Sequence, residues 1–161
     1  MTLASSTLLT ILILLCAAGQ AALPPLTWLG GVRIELLPGV VAFGALTATT
    51  PTRAVFIATL AGLAQDALSA GPFGLSVIGY AVPAVVVAGL RKSLDRDLPW
   101  VQSGAGAWIA GVAGLVAAVS TGFSFEAFVK ICLLALMSAV IAPLVVFATE
   151  LLGYRLEAVE E

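Results

Sequence analysis

Apolar side chains fill this chain in long runs, and polar ones collect in a few short breaks between them. The first run extends from Leu3 to Leu23, matching the roughly 20 residues that carry a helix across a ~30 Å hydrocarbon layer. Pro24-Pro25 closes it, because proline has no N–H to continue a helical ladder. After a loop over 26–34 that holds Trp28 and Gly30-Gly31, the pattern predicts a second helix over 35–49. Glu35 opens it, and a negative charge suits a helix N-terminus. Thr50-Pro51-Thr52 breaks it from a third helix over 53–68. A fourth covers 73–90 with Pro83 inside it, a polar loop covers 91–99, and a fifth helix covers 100–119. The sixth, over 126–152, exceeds one membrane thickness, so tilt or a kink at Pro143 is expected.

Two points in this pattern admit a second reading. Leu8 to Ala18 has the apolar core of a signal peptide and Gly19-Gln20-Ala21 has small residues near a cleavage point, but the stretch before it lacks Lys and Arg. The apolar run also continues to Leu23, so it reads as the first membrane helix. The second helix is short for a span, and if 35–68 were one broken helix the chain would cross five times and the N-terminus would move outside.

Composition agrees with a membrane solvent. Hydrophobic residues make up 61% and charged residues 10%, against about 25% charged in soluble domains. The expectation is an all-α, polytopic membrane protein of about six transmembrane helices, with residues 1–161 forming one integral membrane domain. The net charge of -2 and the scatter of Lys and Arg leave no footprint for nucleic acid. Counting basic residues near helix ends puts Arg53, Arg91, Lys92, Arg96 and Arg155 on one side and Arg33 and Lys130 on the other, which places both termini in the cytoplasm. Trp28 then anchors the outer interface, and Trp100 and Tyr154 the inner one.

Small residues recur at the spacing of one helix face. Ala54, Ala58, Gly62 and Asp66 do so on the third helix, and Gly106, Ala110, Gly114 and Ala118 on the fifth, where Gly104 and Gly111 thin it further. Such ridges let backbones approach closely, within the bundle or against a partner helix. Glu126 and Lys130, four apart at the start of the sixth helix, are placed to pair.

Asp66 stands alone as a charged residue in the run between Arg53 and Arg91. A carboxylate at hydrocarbon depth costs roughly 2.5 to 3.5 kcal/mol, so it needs a partner. The break beside it, Ser69-Ala70-Gly71-Pro72-Phe73-Gly74, offers backbone N–H groups at the start of the next helix, around Phe73 and Gly74. The alternative is a polar contact to a ligand or partner at the same depth.

Catalysis finds little footing. The apolar helices offer Asp66, Gln65, Ser69, Ser76, Tyr80, Gln102, Ser103, Ser120, Ser138 and Glu150, with no His and no paired carboxylates. Cys16 and Cys132 have no neighbouring ligand types, so neither a metal nor another cofactor is expected, and the chain reads as non-enzymatic.

The run Gly62-Leu63-Ala64-Gln65-Asp66-Ala67-Leu68-Ser69-Ala70-Gly71-Pro72-Phe73-Gly74-Leu75, followed by Gly79-Tyr80, resembles the signature of the rod shape-determining protein MreD family. The loop Arg91-Lys92-Ser93-Leu94-Asp95-Arg96 and Pro99-Trp100-Val101-Gln102 sit where that family has a basic connection. Arg33-Ile34-Glu35-Leu36-Leu37 resembles its opening of the second helix, with Ile34 in place of proline and Glu35 in place of aspartate.

The resemblance implies a six-helix fold similar to the substrate-binding subunits of energy-coupling-factor transporters. It further implies a multi-pass scaffold in the bacterial inner membrane that helps maintain rod shape. Its implied partners are a periplasmic MreC-like scaffold, an MreB-like filament facing the basic loop Arg91, Lys92 and Arg96, and peptidoglycan polymerase and transpeptidase enzymes. Gly62, Asp66, Ser69, Gly71, Pro72, Gly74 and Tyr80 would carry the structural or partner-binding motif. The competing expectation is a substrate-binding subunit of a vitamin transporter, docked through a small face of the first helix at Ala17 and Ala21, or Ala18 and Ala22. A pocket for it would draw on Asp66, Ser69, Ser76, Tyr80, Thr121 and Ser124.

Overall fold

The computed structural model describes residues 3–25, 27, 32–69 and 72–157, and side chains within these except at 3–8, 150 and 152–157. Expectations at Trp28, Gly30, Gly31, Ala70 and Gly71, and at the side chains of Glu150, Tyr154 and Arg155, lie outside the described residues. The described chain forms six helices: α1 (Leu3–Ala22), α2 (Leu37–Thr47), α3 (Pro51–Leu68), α4 (Leu75–Leu90), α5 (Pro99–Thr121) and α6 (Phe125–Glu157).

Helix number and order follow the hydrophobic pattern, and the boundaries shift for local reasons. Pro51 and Pro99 were expected before their helices but begin them, since proline lacks an N–H that the first turn does not use. Glu35 does not open α2, which starts at Leu37 with Pro38 in its first turn. α4 starts two residues later than expected because Gly74, at φ 95°, lies in the left-handed region and still belongs to the turn. At the other break, Ser124 Oγ accepts from the Ala127 N–H at 3.1 Å and caps α6, while Gly122 at φ 98° ends α5. α6 runs through Pro143 and beyond the expected end, to Glu157.

α2 is the shortest helix and the centre of the fold. It packs against all five others, and its Leu37, Val40, Val41, Ala42 and Ala45 are wholly buried. The remaining helices follow one another around it in the order α1, α3, α4, α5, α6, each touching the next. Helices consecutive in sequence run antiparallel, whereas α1 and α3, which meet through Gln20 and Gln65 near the end of each, run parallel. Gly44 meets Ile57, Gly62 meets Val77 and Gly79 meets Ala113, while Gly106 and Gly114 of α5 meet Ala142 and Ile131 of α6. Alternation of this kind puts the start of α1 and the end of α6 at the same end of the bundle.

The outward surface is apolar. Leu14 and Leu15 of α1, Phe56 of α3, Ile78 and Val82 of α4, Trp108 and Val119 of α5, and Leu136, Leu144 and Phe147 of α6 are all exposed. Continuous apolar surface of this extent marks an interaction with lipid or protein rather than with water. Among the described residues, two helices are long and apolar enough to cross a membrane: Pro99–Thr121 and Phe125–Thr149. α2, at 11 residues, is about 17 Å long and falls short of a ~30 Å layer.

Both small-residue ladders face inward. Ala54, Ala58, Gly62 and Asp66 are buried on α3, as are Gly106, Ala110 and Ala118 on α5, with Gly114 against the Ile131 side chain. Gly62 is the tightest point between α3 and α4. A Cβ there would lie 2.5 Å from Val77 Cα and 2.7 Å from Val77 N, both backbone atoms that cannot move aside alone. Gly104 differs, having nothing within 4 Å. Gly62→Ala therefore lowers stability by about 1 to 3 kcal/mol in a thermal or denaturant unfolding assay in detergent. Gly104→Ala leaves it unchanged or raises it by up to about 1 kcal/mol, since it removes backbone freedom from the unfolded chain.

Candidate functional site

The polar groups meet at one end of the bundle, where α1, α3 and α5 finish and α2 and α4 begin. Asp66 sits in the last turn of α3 with 4% of its surface exposed. Its Oδ2 accepts from the Gly74 N–H at 2.7 Å and its Oδ1 from the Ser76 N–H at 3.1 Å. The expected anchoring thus occurs at Gly74, with Ser76 rather than Phe73 as the second donor. Hydrogen bonds from backbone to a charged acceptor contribute about 1.5 to 3 kcal/mol each, so two of them offset the cost of holding a carboxylate there. The donors are the residue that caps the N-terminus of α4 and one in its first turn, so the positive dipole end of the helix adds to the attraction.

The rest of the motif shapes this corner. Ser69 follows α3 and donates its hydroxyl to the Asp66 carbonyl at 3.3 Å. Pro72 is exposed in the turn, and Gly74 supplies the left-handed residue that lets the chain reverse. Tyr80, one turn into α4, is 1% exposed and stands close enough to Asp66 and Glu35 to sense both charges.

Three residues that the sequence did not bring together, Gln20, Gln65 and Glu35, complete the site. Gln20, near the end of α1 and 7% exposed, donates through Nε2 to Gln65 Oε1 and accepts the Leu36 N–H at 3.1 Å through Oε1. One amide therefore ties α1 to α3 and to the entry of α2. Glu35, freed from the helix it was expected to open, turns its carboxyl into the same region. The signal for Gln20 was present: a carboxamide inside an apolar run needs a partner. No such signal joined Glu35 to Asp66, which stand 31 positions apart in sequence and meet only through the antiparallel packing.

Around these groups lie two adjacent cavities. One, of about 220 Å³, is lined by Glu35, Gln65, Asp66, Ser69, Ser76 and Tyr80 together with Ser120 and Thr121 of α5. The other, of about 330 Å³, shares Glu35, Gln65 and Ser69 and extends to Gln20 and Arg33. Ser69, Ser76, Tyr80 and Thr121 thus converge as expected, and Ser124 does not line either cavity. Among the described residues no group of three or more His, Cys, Asp or Glu is placed to hold a metal ion.

The basic loop lies at the opposite end. Arg91 Nη2 donates to the Thr49 carbonyl at 2.7 Å, tying the α4–α5 loop to the α2–α3 turn beside Arg53. Arg96 pairs with Asp97 at 3.4 Å, and Lys92 is exposed. Nearby, Gly104, Trp100 and Trp108 line an apolar groove of about 440 Å³ between α4 and α5. Glu126 and Lys130 form the expected pair at 2.7 Å, exposed on the surface of α6.

No protein family, curated protein or solved structure matches the chain. The arrangement is that of a six-helix bundle with a buried, hydrogen-bonded acid at one end and a basic loop at the other.

Burial pushes the Glu35 carboxyl from its ordinary 4.5 up to about 7. Between those values the folded protein holds a proton that the unfolded chain has released, so stability falls as pH rises through the window and is level above it. The thermal midpoint in detergent accordingly drops as pH rises from 4.5 to about 7, and Glu35→Gln, which carries no titrating group, abolishes that contribution.

Proposed function

We propose that this chain is a non-enzymatic, multi-pass membrane scaffold of the bacterial cell-wall elongation machinery, similar to the MreD family. In this reading all six helices lie in the inner membrane, with α2 held as a short central element and both termini in the cytoplasm. The observation that carries it is the use made of the run Gly62–Leu75: Gly62 admits the α4 backbone, Asp66 ties down its first turn, and Gly74 makes the reversal. Each resembling residue so described has a mechanical task, and none is arranged for bond-making chemistry. The apolar outward faces support a lipid surrounding, and the gathering of Arg53 and Arg91 at one end supports a cytoplasmic basic face. There the loop Arg91, Lys92 and Arg96 meets an MreB-like filament.

A periplasmic MreC-like protein is the principal partner, held by its single membrane helix in register with peptidoglycan polymerase and transpeptidase. The apolar groove lined by Trp100, Gly104 and Trp108 supports such a helix contact. The polar cavities favour the second reading, a substrate-binding subunit of a vitamin transporter, because a ligand pocket needs convergent polar groups. Gentle detergent extraction of the tagged chain from its native membrane separates the two. The scaffold reading predicts copurification with a single-span protein bearing a periplasmic coiled coil. Recovery of an ATPase module and a bound vitamin instead overturns it.

A further inference from the structure

We infer that the chamber bounded by Glu35, Asp66 and Tyr80 is a binding site for a primary ammonium group, presented at that end of the bundle by a free amine or by the ethanolamine headgroup of a lipid. This goes beyond the scaffold reading and stands whether or not that reading holds.

The geometry argues for an occupant. Tyr80 is 1% exposed, lines the cavity, and makes no hydrogen bond among the described residues. A phenol hidden from bulk water ordinarily finds a partner for its hydroxyl, so one facing a cavity is placed for a guest. Glu35 lines both cavities and likewise makes no hydrogen bond or ion pair among the described residues. Asp66 spends one acceptor site per oxygen on Gly74 and Ser76, and an ionised carboxylate has about four.

Charge and size then select the guest. Two carboxylates and the phenol oxygen converge from three elements: the segment before α2, α3 and α4. Arg33, the cation on these walls, is exposed at the margin of the second cavity. A space of about 220 Å³ holds several waters at ~30 Å³ each, so it exceeds a bare metal ion and fits a small organic cation. An ammonium group has three N–H donors and no acceptor, which complements a wall of acceptors. The raised Glu35 carboxyl agrees: a cation beside it favours the charged form, so occupation releases a proton. Asp66, Tyr80 and Arg33 are the other charged or titratable groups that line these walls.

The test uses the full chain purified in detergent, titrated calorimetrically with ethanolamine at about pH 8, with acetate as the control anion and tetramethylammonium as a cation lacking N–H donors. In parallel, the chain is reconstituted in nanodiscs of phosphatidylethanolamine or phosphatidylglycerol and its thermal midpoint read. The inference predicts saturable ethanolamine binding, or stabilisation confined to phosphatidylethanolamine, which assigns the source to a free amine or to lipid respectively. Either signal weakens about tenfold or more in Glu35→Gln and measurably in Tyr80→Phe, which keeps the ring and its packing. A signal equal in wild type and Glu35→Gln overturns the inference, as does a response to tetramethylammonium matching that to ethanolamine. Absence of both signals from folded wild type overturns it as well. Because the partner experiment reads a protein and this one reads an amine, either can fail alone.

Discussion

A single carboxylate decides how the second half of this bundle meets the first. Asp66 ends α3 inside apolar surroundings, where its charge is expensive, and the N–H groups of Gly74 and Ser76 at the start of α4 are the donors it finds. Those N–H groups are themselves orphans, since the first turn of any helix has no internal acceptor for them. Each side would be costly alone, and together they fix the α3–α4 corner. Gly62 makes this possible one turn earlier by letting the α4 backbone come within reach. Aligned in that way, α4 carries Tyr80 under the corner and Gly79 against α5, so the constraint passes on to the helices that follow.

The centre of the fold solves a different problem. α2 is too short to behave as an independent span, yet it contacts every other helix and is nearly all buried. Its near-uniform apolarity has no amphipathic stripe because no face of it meets a different environment. Gln20 closes the top of this centre, since its carboxamide serves α3 through Gln65 and the entry of α2 through Leu36. Among the polar groups at that end, Gln20, Gln65 and Asp66 are paired across elements, whereas Glu35 and Tyr80 are turned toward a cavity. At the opposite end the charges are exposed, and Arg91 fastens one loop to another without being buried. The two ends differ in kind, which is the physical basis for assigning them different neighbours.

Much of this was legible from the chain. Long apolar runs broken by Pro24-Pro25, Thr50-Pro51-Thr52, the stretch around Gly74 and the polar loop over 91–99 mark the helices, because proline, glycine and charge act locally and leave their signature in place. Asp66 was legible too, as an unsupported charge next to a source of free N–H groups. The ladders at Ala54, Ala58, Gly106 and Ala110 could be read from spacing, but that both face inward rather than toward a partner helix is known only from the packing. What could not be read was the company kept by Gln20, Glu35 and Gln65. Their meeting depends on α2 lying at the centre and on which helices surround it, and no local periodicity encodes that. Glu35 was assigned to a helix terminus on charge, whereas Pro38 and the burial of Leu37 set the actual start two residues later.

The central claim is that Asp66 holds the first turn of α4 through the Gly74 and Ser76 amides. Amide hydrogen exchange on the detergent-solubilised protein reads those bonds directly. The account predicts that both amides are protected in the wild type. In Asp66→Asn, where one oxygen acceptor becomes an amide nitrogen, at least one of them exchanges about tenfold faster or more while the α2 amides keep their protection. Gly74 and Ser76 amides that exchange freely in the wild type, or that are unaffected by the substitution, would contradict it.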